Sequence, residues 1–155
     1  MDDVRIARWL ALLIPAGLLA GAWGSQLIGH LFPCEMCHWQ RWPHYAAVVI
    51  ALAAFIPGVP KRPVIALAMI AIAISGAIGV LHAGVEYKWW QGFTGCTSTI
   101  TFGGDPLEAI MKAPPVRCDQ PQWTLFGISL AGFNAIISLA GAALIGFFLV
   151  RGRVR

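Results

Sequence analysis

Four long apolar runs, separated by short polar segments, dominate the chain. They extend from Trp9 to about Ile28, from Tyr45 to Ile56, from Val64 to about Leu81, and from Leu125 to Val150. A helix needs roughly 20 apolar residues to cross about 30 Å of hydrocarbon, and every run except the second has that length. The second run reaches it if the helix begins near Trp39 and carries Arg41 and His44 in its first turns. A long arginine side chain at that position can extend to the head groups.

These runs predict an all-α membrane protein, a four-transmembrane-helix bundle that forms one domain over residues 1–155. We expect spans at about 9–28, 39–57, 63–82 and 125–150, with outer loops at about 29–38 and 83–124. The composition agrees, because only 12% of the residues are charged, against roughly 25% in soluble domains. The first run is not interpreted as a cleaved signal peptide. It is longer than a signal core of about 7 to 15 residues, and three further spans follow it.

Basic residues predict which helix ends face the cytoplasm. They lie before the first span, between the second and third, and after the fourth: Arg5, Arg8, Lys61, Arg62, Arg151, Arg153 and Arg155. Four spans place these segments on one face, which the positive-inside rule makes cytoplasmic. Both termini are therefore predicted to be cytoplasmic. The net charge of +4 reflects this bias and does not indicate binding of nucleic acid.

Small residues recur at four-residue spacing within three of the spans. They are Gly17 and Gly21 in the first, Ala71, Ser75 and Gly79 in the third, and Ser138, Ala142 and Gly146 in the fourth. Such residues let helices approach closely. We expect them to pack one bundle internally, which predicts a monomer.

All four cysteines lie in the two segments predicted to face away from the cytoplasm. Cys34 and Cys37 form a C-x-x-C pair at the expected start of the second helix, where unpaired N–H groups and the helix dipole favour a thiolate. Arg41 follows Cys37 by four residues, so a continuous helix puts its guanidinium on the same face and makes Cys37 the most acidic thiol. If the helix instead starts afresh at Pro43, Arg41 lies outside it and this argument weakens.

The second cysteine pair, Cys96 and Cys118, is widely separated in sequence. The segment between the two cysteines contains residues 105–112, in which Asp105 suits an N-cap and Glu108 the third position of a capping box. This pattern predicts a short amphipathic helix on the membrane surface. Loop closure over such a distance costs little extra entropy, so either cysteine can reach the first pair.

Three alternatives compete with a redox-active dithiol. Cys34, Cys37 and His38 match the C-x-x-C-H attachment site of a c-type haem, which would make the protein a membrane electron carrier but leave Cys96 and Cys118 without a role. Zinc bound by the first pair and two of His30, His38 and His82 fits by ligand type only. Both pairs can also be inert structural disulfides. The position of all four cysteines in outer loops favours the redox interpretation, and we expect neither haem nor metal.

Taken together, the four spans, the C-x-x-C pair with Arg41 four residues beyond, and the outer Cys96 and Cys118 resemble the disulfide bond formation protein B (DsbB) family. The stretches 82-HAGVEYKWWQGFTGC-96 and 121-PQWTLFGISLAGFN-134 are also similar to family members. The resemblance covers nearly the whole chain. It implies a thiol–disulfide oxidoreductase of the bacterial inner membrane. Such a protein reoxidises a periplasmic DsbA-like thiol oxidase and passes the electrons to ubiquinone or menaquinone.

The resemblance also implies roles for single residues. The partner's thiolate attacks Cys96 and frees Cys118, which attacks Cys34 and releases Cys37 as the thiolate that reduces the quinone. Arg41 stabilises charge on the thiolate and the quinone oxygen. Glu86 matches an acidic position of the family and is either a proton-handling group or a simple interfacial carboxylate.

Two features depart from the best-known family pattern. Pro43 follows the arginine, and the segment from Cys96 to Cys118 is shorter. The quinone used, a general or a dedicated partner, and kinship with vitamin K epoxide reductase-like quinone reductases stay open at this point.

Overall fold

Four helices make up most of the computed structural model, which describes residues 3–92 and 116–154. They are α1 (Asp3–Leu27), α2 (Glu35–Ala53), α3 (Lys61–Glu86) and α4 (Leu130–Val154). Two short strands, β1 (Thr124–Leu125) and β2 (Ile128–Ser129), precede α4. The predicted surface helix at 105–112 and Cys96 lie outside the described residues.

Three of these helices, α1, α3 and α4, are long and apolar enough to cross a membrane within the described part of the chain. The α2 helix has 19 residues and buries three polar side chains, Gln40, Arg41 and His44. Because of this polar composition, the predicted crossing of the membrane by α2 stays a prediction.

The start of α2 explains how the C-x-x-C pair is presented. Cys34 is the N-cap, and its sulfur accepts a hydrogen bond of 3.2 Å from the Cys37 backbone N–H. The helix therefore begins at Glu35, within the C-x-x-C pair as expected, and four residues before the predicted start of the span at about residue 39. It then runs unbroken through Pro43, so the alternative of a fresh start at Pro43 is wrong. Proline lacks an N–H, which costs the helix one hydrogen bond there but leaves Arg41 one turn beyond Cys37.

A tight hairpin replaces the predicted beginning of the last span. Phe126 and Gly127 form the turn with φ angles of 52° and 78°, which match the two positive φ angles of a two-residue hairpin turn. The strands pair Thr124 with Ser129 and Leu125 with Ile128. The Ser129 hydroxyl then accepts the Gly132 N–H at 3.1 Å and caps α4. The last span therefore starts at Leu130 rather than Leu125, and the fold is not purely helical.

The α3 helix has its most extensive contacts with α4 and α2. A Cβ atom built on Gly79 would lie 3.0 Å from the Ala135 backbone nitrogen, so this glycine allows the close approach of α4. Gly17 and Gly21 of α1 differ, since a Cβ there meets nothing within 4 Å. The prediction that these two glycines mediate close helix contact is wrong, because they border a cavity instead.

The helix ends separate into two groups. At one end, Arg62 donates to the Gly152 carbonyl, and Arg151 lies 3.7 Å from the Asp3 carboxylate. This end joins both termini with the α2–α3 connection, as expected for helices that alternate in direction. The cysteines Cys34, Cys37 and Cys118 lie at the other ends of the helices.

Substitution of Gly84 tests the packing at the end of the bundle where the cysteines lie. A Cβ at Gly84 would lie 1.9 Å from Cζ2 of Trp90, whose indole N–H donates to the Leu81 carbonyl at 3.0 Å. We expect Gly84→Ala to displace the indole and lower the free energy of unfolding by about 1–3 kcal/mol. Thermal unfolding in detergent, followed by circular dichroism, measures the change.

Gly24→Ala is the matched control, because nothing lies within 4 Å of a Cβ at Gly24. Alanine has the higher helix propensity, so this variant should be neutral or more stable by up to about 1 kcal/mol. A Gly84→Ala protein as stable as the control would contradict the packing described for Trp90.

Candidate functional site

The Cys34 and Cys37 sulfur atoms lie 2.7 Å apart, and both cysteines are free. A small movement separates this pair from the about 2.05 Å of a disulfide. Cys34 is buried, at 4% exposure, and Cys37 is partly exposed. The S–H···S bond to Cys37, together with burial, raises the pKa of Cys34 above its ordinary value, although the Cys37 N–H acts in the opposite direction. Cys34 therefore keeps the shared proton, and negative charge belongs on Cys37.

Cys118 packs directly against this pair. It is fully buried in a cluster with Cys34, Met36 and Val85, and Cys37 lies at the edge of the cluster. Cys118 is disulfide-bonded, and Cys96 lies outside the described residues. The structure thus brings a cysteine of the second outer segment into contact with the first pair, across a long separation in sequence.

Four hydrogen bonds hold the Cys118 segment in place. The His82 ring forms a hydrogen bond with the Cys118 backbone. Lys88 donates to the Asp119 carboxylate at 2.8 Å and to its carbonyl at 2.6 Å. Further along, the Gln122 amide donates to the Phe32 carbonyl at 2.7 Å, which links the two outer segments directly.

The Asp119 carboxylate is also paired with Arg117, at 2.7 and 2.8 Å. The Arg117 hydrogen bonds, followed by those of Lys88, lower the pKa of Asp119 well below its ordinary range, against the effect of partial burial. Because the pKa of Asp119 is lower in the folded protein, the stabilisation from its pairing with Arg117 and Lys88 is complete above the unfolded pKa of about 3.9. It is lost only as the pH falls below that value toward the folded pKa.

His82 and Glu86 extend the site along α3. His82 is almost fully buried, and its Nε2 atom lies 3.6 Å from the Cys34 sulfur and 3.7 Å from Glu86 Oε1. Glu86 also accepts a hydrogen bond from the Ser129 hydroxyl. The acidic residue is therefore joined both to the redox pair, through His82, and to the cap of α4.

Arg41 is buried one turn below Cys37. Its guanidinium donates to Gln26 Oε1 at 2.8 Å and to the Ala22 carbonyl at 3.2 Å, and it lies 5.6 Å from the Trp23 ring centre. All of these partners belong to α1. The arginine is consequently fixed by α1 instead of extending freely to the head groups.

A cavity of about 360 Å³ adjoins Cys37 and Arg41. Its walls come from α1, α2 and α4, and they are mostly apolar. The polar side chains that line it include Gln40, Arg41, His44 and Asn134, while Gly17 and Gly21 form part of the α1 wall. An apolar pocket with a few convergent polar groups is typical of a small-molecule site.

A buried hydrogen-bond network connects this cavity to His82. Gln40 Nε2 lies 2.7 Å from His82 Nδ1, and Gln40 Oε1 accepts from Asn134 at 2.8 Å. Asn134 Oδ1 lies 2.9 Å from His44 Nε2 and accepts from Ser138 at 3.0 Å. Polar groups in an apolar environment need such partners, so the network fixes the relative positions of α2, α3 and α4.

Gln40 and Asn134 were not predicted from the sequence as site residues, and neither was the contact of His82 with Cys34. Polar residues inside apolar spans are themselves a functional signal, and that signal was available at Gln40 in the second span and Asn134 in the fourth. The contact between Gln40 and Asn134 could not be predicted, because it joins residues 94 positions apart in the sequence.

Ligand type is no longer the only argument for zinc, because His82 lies beside Cys34 and Cys37. Cys34 Sγ, Cys37 Sγ and His82 Nε2 lie within 4.8 Å of one another, and thiolate and imidazole are zinc ligands. The other two candidate ligands, His30 and His38, are exposed. The expectation that no metal binds stays a prediction.

The chain is similar to known proteins over nearly its whole length. A family model described as "Disulfide bond formation protein DsbB" matches residues 4–148. The chain is 28% identical to disulfide bond formation protein B of Nitrosospira multiformis, with 90% of this chain and 88% of the relative covered. It is 27% identical to the protein of that name in Nitrosomonas europaea, with 92% of each chain covered. It is 24% identical to the uncharacterized protein RP370 of Rickettsia prowazekii, over 96% of this chain and 89% of that protein. No solved structure matches the chain significantly.

The difference between the two thiols can be measured on the reduced protein. We expect N-ethylmaleimide to modify Cys37 at least about tenfold faster than Cys34 at pH 8, because the thiolate is the reactive form and Cys34 retains its proton. Timed alkylation with mass spectrometry of the peptides gives both rates. In Cys34→Ala, Cys37 should react more slowly because it loses its S–H donor. Equal rates at Cys34 and Cys37 would contradict the assignment of charge to Cys37.

Proposed function

The chain belongs to the DsbB family, an oxidoreductase family of membrane proteins for disulfide bond formation, and from this membership and the site geometry we propose its specific reaction. The protein reoxidises a DsbA-like dithiol oxidase and passes the electron pair to a membrane quinone. It resides in the bacterial inner membrane, where α2 crosses the bilayer together with α1, α3 and α4, and the cysteines lie on the periplasmic side.

The cavity beside Cys37 is the observation that carries this proposal. At about 360 Å³ it falls within the roughly 300–1,000 Å³ of small-molecule pockets. Its apolar walls suit a lipid-soluble ring, and Arg41 and His44 offer polar contacts to ring oxygens. A quinone bound there supplies the capacity to accept two electrons and two protons. Ubiquinone and menaquinone both fit this chemistry.

The exchange steps use the contacts between the two cysteine pairs. In the resting protein Cys96, the remaining cysteine, is proposed as the disulfide partner of Cys118. The dithiol partner's thiolate attacks Cys96 and releases Cys118 as a thiolate. Cys118 lies against Cys34, so it attacks the Cys34–Cys37 disulfide, forms a Cys34–Cys118 bond and releases Cys37 as a thiolate at the cavity. No external oxidant is needed for this exchange.

Arg41 and Glu86 have separate roles in this scheme. The Arg41 guanidinium, held by α1 through Gln26 and Ala22, presents positive charge beside the Cys37 thiolate and the cavity. Such preorganised charge stabilises an anion without reorganisation during the reaction. Glu86 is proposed to hold a proton near Cys34, because it lies 3.7 Å from the His82 nitrogen that contacts that sulfur.

Replacement of Cys37 tests the reaction itself. We expect Cys37→Ser to abolish quinone reduction by dithiothreitol, because the serine hydroxyl cannot form the thiolate that donates electrons. The loss of quinone absorbance with purified protein in detergent measures the rate. Glu35→Gln, an exposed change two residues away, is the control and should keep the rate within about twofold. Turnover by Cys37→Ser above the rate without protein would refute the role of Cys37.

Filling the cavity tests where the quinone binds. We expect Gly21→Leu to raise the quinone KM about tenfold or more, because its side chain enters a space that Gly21 borders. Arg41→Ala should also raise the KM. Gly24→Leu, three residues along α1 and absent from the cavity wall, is the matched control and should keep the KM within about twofold. If Gly21→Leu and Arg41→Ala both keep the wild-type KM, the quinone binds elsewhere.

A further inference from the structure

The protonation of His82 follows from the hydrogen-bond network, beginning at Asn134. Its Nδ2 lies 3.2 Å from the Ser75 carbonyl, which can only accept, so that atom is the amide donor. The same Nδ2 donates to Gln40 Oε1 at 2.8 Å. The other amide atom, Oδ1, accepts from Ser138 at 3.0 Å. The orientation of the Asn134 amide is thus determined by its neighbours.

Gln40 transmits this orientation to His82. Since Gln40 Oε1 accepts from Asn134, the other amide atom is Nε2, which donates to the Met36 carbonyl at 3.3 Å. The same Nε2 lies 2.7 Å from His82 Nδ1, so Nδ1 accepts. A neutral imidazole that accepts at one nitrogen carries its proton on the other. His82 therefore presents an Nε2–H group.

This N–H group faces both participants in the exchange between the cysteine pairs. The ring forms a hydrogen bond with the Cys118 backbone, and Nε2 lies 3.6 Å from the Cys34 sulfur. The His82 Nε2–H group can therefore donate to the Cys118 backbone carbonyl and to the Cys34 sulfur, which are both acceptors. The residue that attacks and the sulfur that it attacks are therefore both positioned by the same ring.

We propose that His82 is a positioning residue for exchange between the two cysteine pairs, and that Gln40 and Asn134 hold its Nε2–H toward Cys118 and Cys34. This inference rests on the proposed function, which supplies the exchange step. The Cys118 thiolate forms a bond to Cys34, the Cys34–Cys37 bond breaks, and the electron pair leaves on Cys37. In the reverse step the Cys37 thiolate attacks Cys34, the Cys34–Cys118 bond breaks, and the electron pair returns to Cys118, whose backbone His82 holds in place.

The same geometry separates this role from metal binding at Cys34, Cys37 and His82. A metal ligand needs a lone pair at the coordinating nitrogen, and such a histidine donates its other N–H to an acceptor. At His82 the nitrogen beside the sulfur holds the proton, and Nδ1 meets the Gln40 amide donor. The network therefore favours an N–H donor over a metal ligand.

Exchange within a single chain tests the proposal without a partner or a quinone. In Cys96→Ser protein oxidised by diamide, three thiols form one disulfide, and the free Cys118 thiol can exchange with the Cys34–Cys37 bond. Acid quenching, alkylation of the free thiol and peptide mass spectrometry then give the ratio of Cys34–Cys118 to Cys34–Cys37 bonds. We expect Cys34–Cys118 to be readily detected when His82 is present.

Two substitutions of His82 separate hydrogen bonding from bulk. His82→Leu should lower that ratio about five- to tenfold, the effect of losing one buried hydrogen bond. His82→Gln places an amide N–H near the position of Nε2 and should restore the ratio to within about twofold. His38→Leu, an exposed histidine beside the pair, should leave the ratio unchanged. A ratio in His82→Leu equal to that of the parent would overturn the proposal.

Nitrogen-15 NMR of the His82 ring in the Cys96→Ser protein gives an independent result that needs no substitution of His82. The Nε2–H form is expected, and a predominant Nδ1–H form would overturn the proposal even if His82→Leu does not fold. Quinone reduction by dithiothreitol, measured on the same preparations, tests the proposed function separately. Normal quinone reduction without a Cys34–Cys118 bond refutes only the positioning role. Formation of the Cys34–Cys118 bond without quinone reduction refutes only the quinone reaction.

Discussion

The hydrogen bonds from His82 through Gln40 and Asn134 to His44 are the interaction on which the site depends. Each of these side chains lies on an otherwise apolar helix, and Gln40, His44 and His82 are buried. A buried polar group without a partner is costly in a low-dielectric surrounding. The helices α2, α3 and α4 are therefore held in the one relative position that satisfies all of these groups together.

That constraint orders the redox groups as well as the helices. His82 contacts Cys34 on one side and the Cys118 backbone on another, so the second outer segment is docked on a residue that the network already holds. Lys88 and Gln122 strengthen the docking through Asp119 and Phe32. Cys118 is accordingly packed against Cys34 although 84 positions separate them in the sequence.

The cavity exists because two residues of α1 that border it are glycines, which have no side chain. Gly17 and Gly21 leave space beside Cys37 and Arg41, while Gln26 and the Ala22 carbonyl hold the guanidinium at the border of that space. One nitrogen of His44, Nδ1, is buried without a hydrogen-bond partner among the residues that the structure describes. A residue that lines the cavity thus retains an unused polar atom, which accords with a ligand that carries polar groups.

Several features followed from the sequence alone because they depend on local composition and spacing. Long apolar runs predict membrane helices wherever they occur, and C-x-x-C followed by Arg41 placed the dithiol and the cation one helical turn apart. The family resemblance drawn from these residues is confirmed by the match over residues 4–148. Even so, the start of the last helix was predicted at Leu125 instead of Leu130, since a two-residue turn contributes little to hydropathy.

Contacts between residues distant in sequence could be known only from the folded structure. Spacing showed small residues at Gly17 and Gly21 but could not distinguish a helix contact from a cavity wall, because that depends on which helix lies opposite. Likewise His82, Gln40 and Asn134 were three separate polar residues until packing satisfied their hydrogen bonds with one another. The family and the C-x-x-C pair could therefore be identified from the residues alone, whereas packing decided which groups surround that pair.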